Sequence, residues 1–256
     1  MSSSLPSCSG TELLAATGLS RFYNEHCAVQ GLNIHLKKGE VLGLLGPNGA
    51  GKSTTMQMLT GNLAPSAGEI RVAGVDLLDE PLRAKQQIGY LPEQPPVYRD
   101  LTVLEFLHYC AKLRNVPHKQ SKAVVDRASL RCGLEQVGKR LIGNLSKGYR
   151  QRVGIAQAIL HNPAVVILDE PTVGLDPIQI LEIRGLIREL GEDHGIILST
   201  HILPEVQAVC DRVQILNRGK TVFNNTLDGI DSLEKVFFEL IFRDPNIEPT
   251  GVENVA

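Results

Sequence analysis

The sequence is short of the features that mark several protein classes. It has no tryptophan, and aromatic residues make up 4% of its 256 positions. An aromatic pair set in front of a polar loop therefore stands out. No apolar run approaches the ~18 residues needed to span a bilayer, so any membrane role is expected to come through a partner. The five cysteines (Cys8, Cys27, Cys110, Cys132 and Cys210) are odd in number and contain no C-x-x-C pair, which argues against a disulfide framework and a zinc site. They read as scattered thiols in a reducing compartment. A net charge of −2 gives no general reason to expect a nucleic acid partner. Residues 1–10 are rich in serine and lack the basic and apolar segments of a signal peptide, so they read as a disordered tail. What remains, 43% hydrophobic and 21% charged residues, fits one large globular domain or a core with a smaller inserted one.

The most informative stretch is Gly46-Pro47-Asn48-Gly49-Ala50-Gly51-Lys52-Ser53-Thr54. Its Gly46, Gly51, Lys52 and Ser53 fill the four fixed positions of the phosphate-binding pattern G-x-x-x-x-G-K-[ST]. Glycines let the backbone turn tightly, so that its N–H groups converge on phosphate oxygens. Lys52 supplies a compact ammonium for the β and γ phosphates, and the Ser53 hydroxyl suits Mg²⁺. The context is right as well. Val41 to Leu45 reads as a buried strand, and Met56, Leu59 and Leu63 after the loop sit at helical spacing. The helix expected over 53–60 turns its positive end to the same anion.

Short strand-like runs at 13–19 and 32–36 precede this unit, with Arg21-Phe22-Tyr23 between them; one of these two aromatics is placed to stack on a base. A strand at 88–91 ends in Pro92-Glu93-Gln94-Pro95-Pro96, whose prolines forbid a helix and put Gln94 on a stiff, extended segment. Helices follow. Thr102 and Glu105 form a capping-box pattern, a second helix is expected over 121–132, and Ser146 is placed to cap a third. The apolar run 165–168 ends in Asp169-Glu170, and 195–198 ends in Ser199-Thr200-His201. Runs of this kind are parallel strands buried on both faces, and ligands bind at their carboxyl ends. Asp169 suits a Mg²⁺·nucleotide site, Glu170 suits orientation of an attacking water, and His201 suits contact with a γ-phosphate. On its own residues, Leu145-Ser146-Lys147-Gly148-Tyr149-Arg150-Gln151-Arg152 is no more than a capped helix with exposed arginines.

Taken together, these motifs resemble the ATP-binding subunit of ABC transporters over nearly all of residues 11–223. The 145–152 stretch is similar to the family signature (LSGGQ in its common form), Leu168 to Pro177 resembles Walker B followed by the D-loop, and 199–201 resembles the switch histidine. Gln94 matches the Q-loop glutamine and Tyr23 the aromatic that stacks on adenine. The resemblance implies an α/β fold: a P-loop NTPase core with a mostly parallel sheet, an antiparallel β subdomain and an inserted helical subdomain. The implied division is 11–94 and 152–223 for the core, 95–151 for the helical part and 224–256 for a C-terminal extension. Within the extension, 232–242 reads as an amphipathic helix with Leu233, Val236, Phe237 and Leu240 facing the core.

It further implies ATP and Mg²⁺ as cofactors, with Ser53, Asp169 and Gln94 around the metal and Glu170, His201 and Gln94 catalytic. Two copies would close head to tail over two ATP molecules, with Ser146 and Gly148 reaching the γ-phosphate of the partner's site and Asp176 coupling the two sites. Lys147 and Tyr149 depart from the common signature. With the Q-loop, that variant looks most like exporter ATPases serving separately encoded permeases, as in drug, polysaccharide and gliding-motility systems. The expected location is cytoplasmic, on the inner face of the membrane. ABC ATPases of DNA repair or ribosomes carry paired nucleotide domains or long insertions, which this chain lacks. A module without hydrolysis would not need Glu170 and His201.

Overall fold

A computed structural model describes residues 11–242. The tail expected over 1–10, Cys8 included, and residues 243–256 of the extension lie outside the described residues.

Two sheets organise the chain. The first is antiparallel. Strands β1 (Glu12–Tyr23) and β2 (His26–Lys37) form a hairpin whose turn carries Asn24 at φ 52°, and β4 (Ala67–Val72) and β5 (Val75–Asp76) complete the order β2-β1-β4-β5. Both hairpin strands run longer than their apolar cores indicate, so Tyr23 closes β1 and does not lie in a connection between strands.

The second sheet contains β3 (Val41–Leu45), β6 (Ile88–Leu91), β7 (Val165–Asp169), β8 (Gly195–Thr200), β9 (Arg212–Asn217) and β10 (Lys220–Thr226) in the order β10-β9-β3-β8-β7-β6. Every pair in it is parallel except β9–β10. The continuous apolar runs follow from this position. Leu42, Leu44, Val165, Ile167 and Ile197 point into one core, shared with the antiparallel sheet and with Met56, Met58 and Leu59 of α1 (Lys52–Leu59). Their neighbours Val41, Leu45, Val166, Leu168, Ile196 and Leu198 point into the other, under the helices of the opposite face. Alternation is present, but both sides of it are apolar.

Between β6 and β7 the chain forms α3 (Val103–Leu113), α4 (His118–Arg131) and α5 (Lys147–Ile159). The Thr102–Glu105 capping box starts α3, with the Thr102 N–H donating to Glu105 Oε2 at 2.8 Å. Helix α4 begins three residues earlier than its pattern indicates, directly after Pro117. Helix α5 is capped by Ser146 and packs back on β6, so the division expected at 151/152 falls inside one helix. The short α2 (Pro81–Lys85) precedes β6, while α6 (Pro177–Asp193) and α7 (Leu203–Val209) bracket β8. Helix α8 (Leu233–Phe242) buries Leu233 and Ile241 and packs Phe237 and Leu240 on the core. Cys110, Cys132 and Cys210 are buried free thiols whose pKa values burial pushes up, Cys110 to about 11 and Cys132 to about 12, so they are unreactive packing residues.

Candidate active site

Strand order makes the site. β8 lies between β3 and β7, with Leu45 paired to Thr200 and Asp169 paired to Ser199. The three carboxyl ends are level, and the glycine loop, Asp169-Glu170 and His201 leave the sheet side by side. They edge a concavity of about 510 Å³ lined by Tyr23, Asn48 to Thr54, Glu170 and His201, together with His26, Ala28, Glu93 and Val173.

The loop is shaped by its glycines. Gly51 has φ 101°, where other residues are strained, and a side-chain carbon there would sit 2.7 Å from the Ala28 carbonyl oxygen. At Gly46 the same atom would run into the Leu216 carbonyl. Lys52 is buried at 7% exposure and curls beneath the loop, donating to the Gly46 carbonyl at 2.7 Å and the Pro47 carbonyl at 3.2 Å. Burial lowers its pKa, and Glu170 and Asp169 act in the opposite direction. Gly46 and Pro47 thus shape the pocket through Lys52.

Asp169 is buried behind Lys52 and accepts a hydrogen bond from Ser199 Oγ. Burial raises its pKa; the Ser199 bond and Lys52 oppose that, while Glu93 adds to it. Glu170 follows at φ 48°, a conformation that costs of order 1–3 kcal/mol for a residue with a side chain. This turn aims its carboxylate at the pocket: Oε1 lies 2.9 Å from His201 Nδ1, and Oε2 is buried with no partner among the described residues. An acceptor held this way beside a phosphate pocket suits a water molecule. Tyr23 lies exposed at the pocket rim with the Arg21 guanidinium 4.8 Å from its ring centre.

Gln94 does not line this pocket. It lines a neighbouring concavity with Glu93, Pro95, Arg99, Lys147 and Arg150, and Glu93 borders both. Ser146, Gly148 and Asp176 lie together elsewhere, around a third concavity shared with Tyr149, Arg152 and Gln179. Ser146 caps α5 by accepting from the Tyr149 N–H at 3.3 Å, and Asp176 caps α6 by accepting from the Gln179 N–H at 2.9 Å. The site residues therefore fall on two separate faces of one chain.

The family model for the ABC transporter matches residues 29–173. The bacitracin transport ATP-binding protein BcrA of Bacillus licheniformis is 38% identical over 91% of this chain and 76% of its own. A solved ATP-binding subunit of an ABC transporter superposes with a TM-score of 0.80 at 33% identity, covering 89% of this chain and all but 1% of the other (99% covered). The structure of cbiO1 from Clostridium perfringens, part of the ABC transporter complex cbiONQ, gives a TM-score of 0.77 at 31% identity over 84% of this chain and 88% of that one. With its glycine loop, strand-end carboxylates and His201 assembled at the carboxyl ends of neighbouring strands, the chain belongs to the ABC transporter family as an ATP-binding ATPase subunit.

Proposed function

We propose that this ATPase works as a head-to-tail pair and drives export through a separate membrane permease. The observation that supports the pairing is the division of the site over two faces. Ser146 and Gly148 line a different concavity from the chain's own phosphate pocket, yet they sit at the N-terminus of α5, where backbone N–H groups and the helix dipole favour an anion. A second copy in reversed orientation brings that terminus to the γ-phosphate. Both faces of this chain carry their residues, which favours two identical copies.

Within the pocket, the N–H groups of 48–54 and Lys52 cradle the phosphates. Ser53 and Asp169 fit a Mg²⁺ ion, which when bound neutralises charge on the β and γ phosphates. Glu170 takes a proton from the attacking water, and His201 holds Glu170 through Nδ1 while its ring borders the same space. Tyr23 stacks on the base. Replacing Tyr23 with alanine is expected to remove about 1–3 kcal/mol of stacking, raising the ATP Kd roughly 5- to 150-fold with little change in kcat. Equilibrium binding of a fluorescent ATP analogue checks this, and an unchanged Kd would remove Tyr23 from the site.

Glu93 borders the phosphate pocket on the same segment as Gln94, to which the resemblance gives a place near the metal, and a paired substitution separates the two. Glu93→Gln is expected to raise the Mg²⁺ concentration for half-maximal turnover about tenfold while sparing ATP binding in EDTA, as loss of one outer metal partner does. Gln94→Ala is expected to change neither. The reverse pattern would restore Gln94 to the site.

Export and the permease rest on kinship, since the similar BcrA is named for bacitracin transport and cbiO1 for its transporter complex. Among the described residues no helix is long and apolar enough to cross a membrane. The test is sedimentation with membranes that contain or lack a co-encoded permease. Binding that requires the permease supports the proposal, and equal binding to both would count against it.

A further inference from the structure

Glu205 is 1% exposed in the first turn of α7, four residues beyond His201, and no motif assigns it a role. Its Oε1 accepts a hydrogen bond from the Thr172 hydroxyl, and its Oε2 accepts one at 2.6 Å from the Thr200 hydroxyl. Both threonines are themselves buried. Thr172 stands between Glu170 and Asp176 on the loop from β7 to α6, and Thr200 is the last residue of β8, immediately before His201 at the start of the loop to α7. Thr200 Oγ1 also accepts from the Ile202 N–H at 3.1 Å, which folds the His201 turn around the same hydroxyl. One carboxylate thus joins the two loops from below, while Glu170 Oε1 and His201 Nδ1 join them at the pocket.

A carboxylate is an expensive way to fill buried space. Well-packed apolar side chains of similar volume are as stable or more so. Two acceptors facing two hydroxyl donors gain directional definition instead, because each threonine rotamer is fixed by its bond. The loops so fixed carry the general base, the residue that holds it, and Asp176 on the face proposed to meet a second copy.

We propose that Glu205, with Thr172 and Thr200, is a positioning unit for ATP hydrolysis, holding Glu170 and His201 in register and tying them to the Asp176 loop. The proposal rests on the hydrolytic roles of Glu170 and His201. It acts on the chemical step, because misplacing reacting groups by about 1 Å can cost on the order of 100-fold in rate, while the phosphate loop that binds ATP is untouched.

The test uses the full chain carrying Thr172→Val, Thr200→Val or Glu205→Gln. Each valine variant is expected to lower kcat about tenfold or more with the ATP Kd within about twofold, the split expected when only transition-state geometry is lost. Thr172→Ser and Thr200→Ser, which keep the hydroxyl, should return kcat to within about twofold of the parent, and Thr172→Val combined with Glu205→Gln should be no worse than Glu205→Gln alone, as for residues acting as one unit. If Glu205→Gln does not fold, the threonine variants decide the matter. Valine variants with parental kcat, or with kcat and ATP affinity falling together alongside the melting temperature, would overturn the proposal. Absent turnover in the unmodified protein would instead strike the hydrolytic assignment on which it rests.

Discussion

Lys52→Ala is expected to lower ATP turnover about 10³-fold and to abolish the thermal stabilisation that ATP gives the parent. Lys52 is buried beneath the phosphate loop, and Glu170 and Asp169 oppose the lowering of its pKa that burial causes. Unit charges ~4 Å apart at an effective dielectric of ~20 interact by about 4 kcal/mol, close to a factor of 10³. Alanine removes that attraction for the phosphates and leaves the carboxylates beside them uncompensated. Both effects act against ATP, and neither the loop glycines nor the dipole of α1 replaces a full charge. Turnover measured at saturating Mg²⁺ checks this. A rate within tenfold of the parent would mean that the phosphates bind somewhere other than this loop.

Glu170→Gln is expected to lower turnover by 10²- to 10⁴-fold, the usual worth of a general base, with ATP affinity kept within a few fold. The substitution preserves volume and the approach to His201, so it isolates the proton-accepting role. The structure gives Glu170 the marks of such a role. Its backbone is strained at φ 48°, one carboxylate oxygen is held 2.9 Å from His201 Nδ1, and the other is buried without a partner among the described residues. Strain at a strand end persists when surrounding structure over-determines it, and here it turns the side chain from the sheet into the pocket. Turnover close to the parent's would leave Glu170 a structural residue and move the base elsewhere, with Glu93 the next carboxylate in the pocket.

Much of this architecture was legible in the residues because local chemistry dictated it. A strand buried on both faces needs an unbroken apolar run, so β3, β7 and β8 announced themselves, and polar residues at their ends marked the crevice. The Thr102–Glu105 box and the Ser146 cap were equally local. What escaped depended on direction or on distant contacts. Glu93 and Gln94 are adjacent, and which of them enters the pocket is decided by backbone geometry that residue types do not encode. Glu205 reads as an ordinary acidic residue until Thr172 and Thr200, 33 and 5 positions away, are seen to close on it. Strand β10 escaped because its side chains are half-exposed or exposed and hold only one sheet edge. The separation of Ser146 and Gly148 from the phosphate loop is likewise a property of the assembled fold.

That separation carries the central claim, that two chains complete each site. Light scattering during size-exclusion chromatography of Glu170→Gln, with and without ATP, tests it most directly. Slow hydrolysis holds the ATP-bound state, so the account predicts one-chain mass without nucleotide and two-chain mass with it. One-chain mass at saturating ATP, with binding confirmed, would contradict the reading that a second copy's Ser146 and Gly148 close on the γ-phosphate.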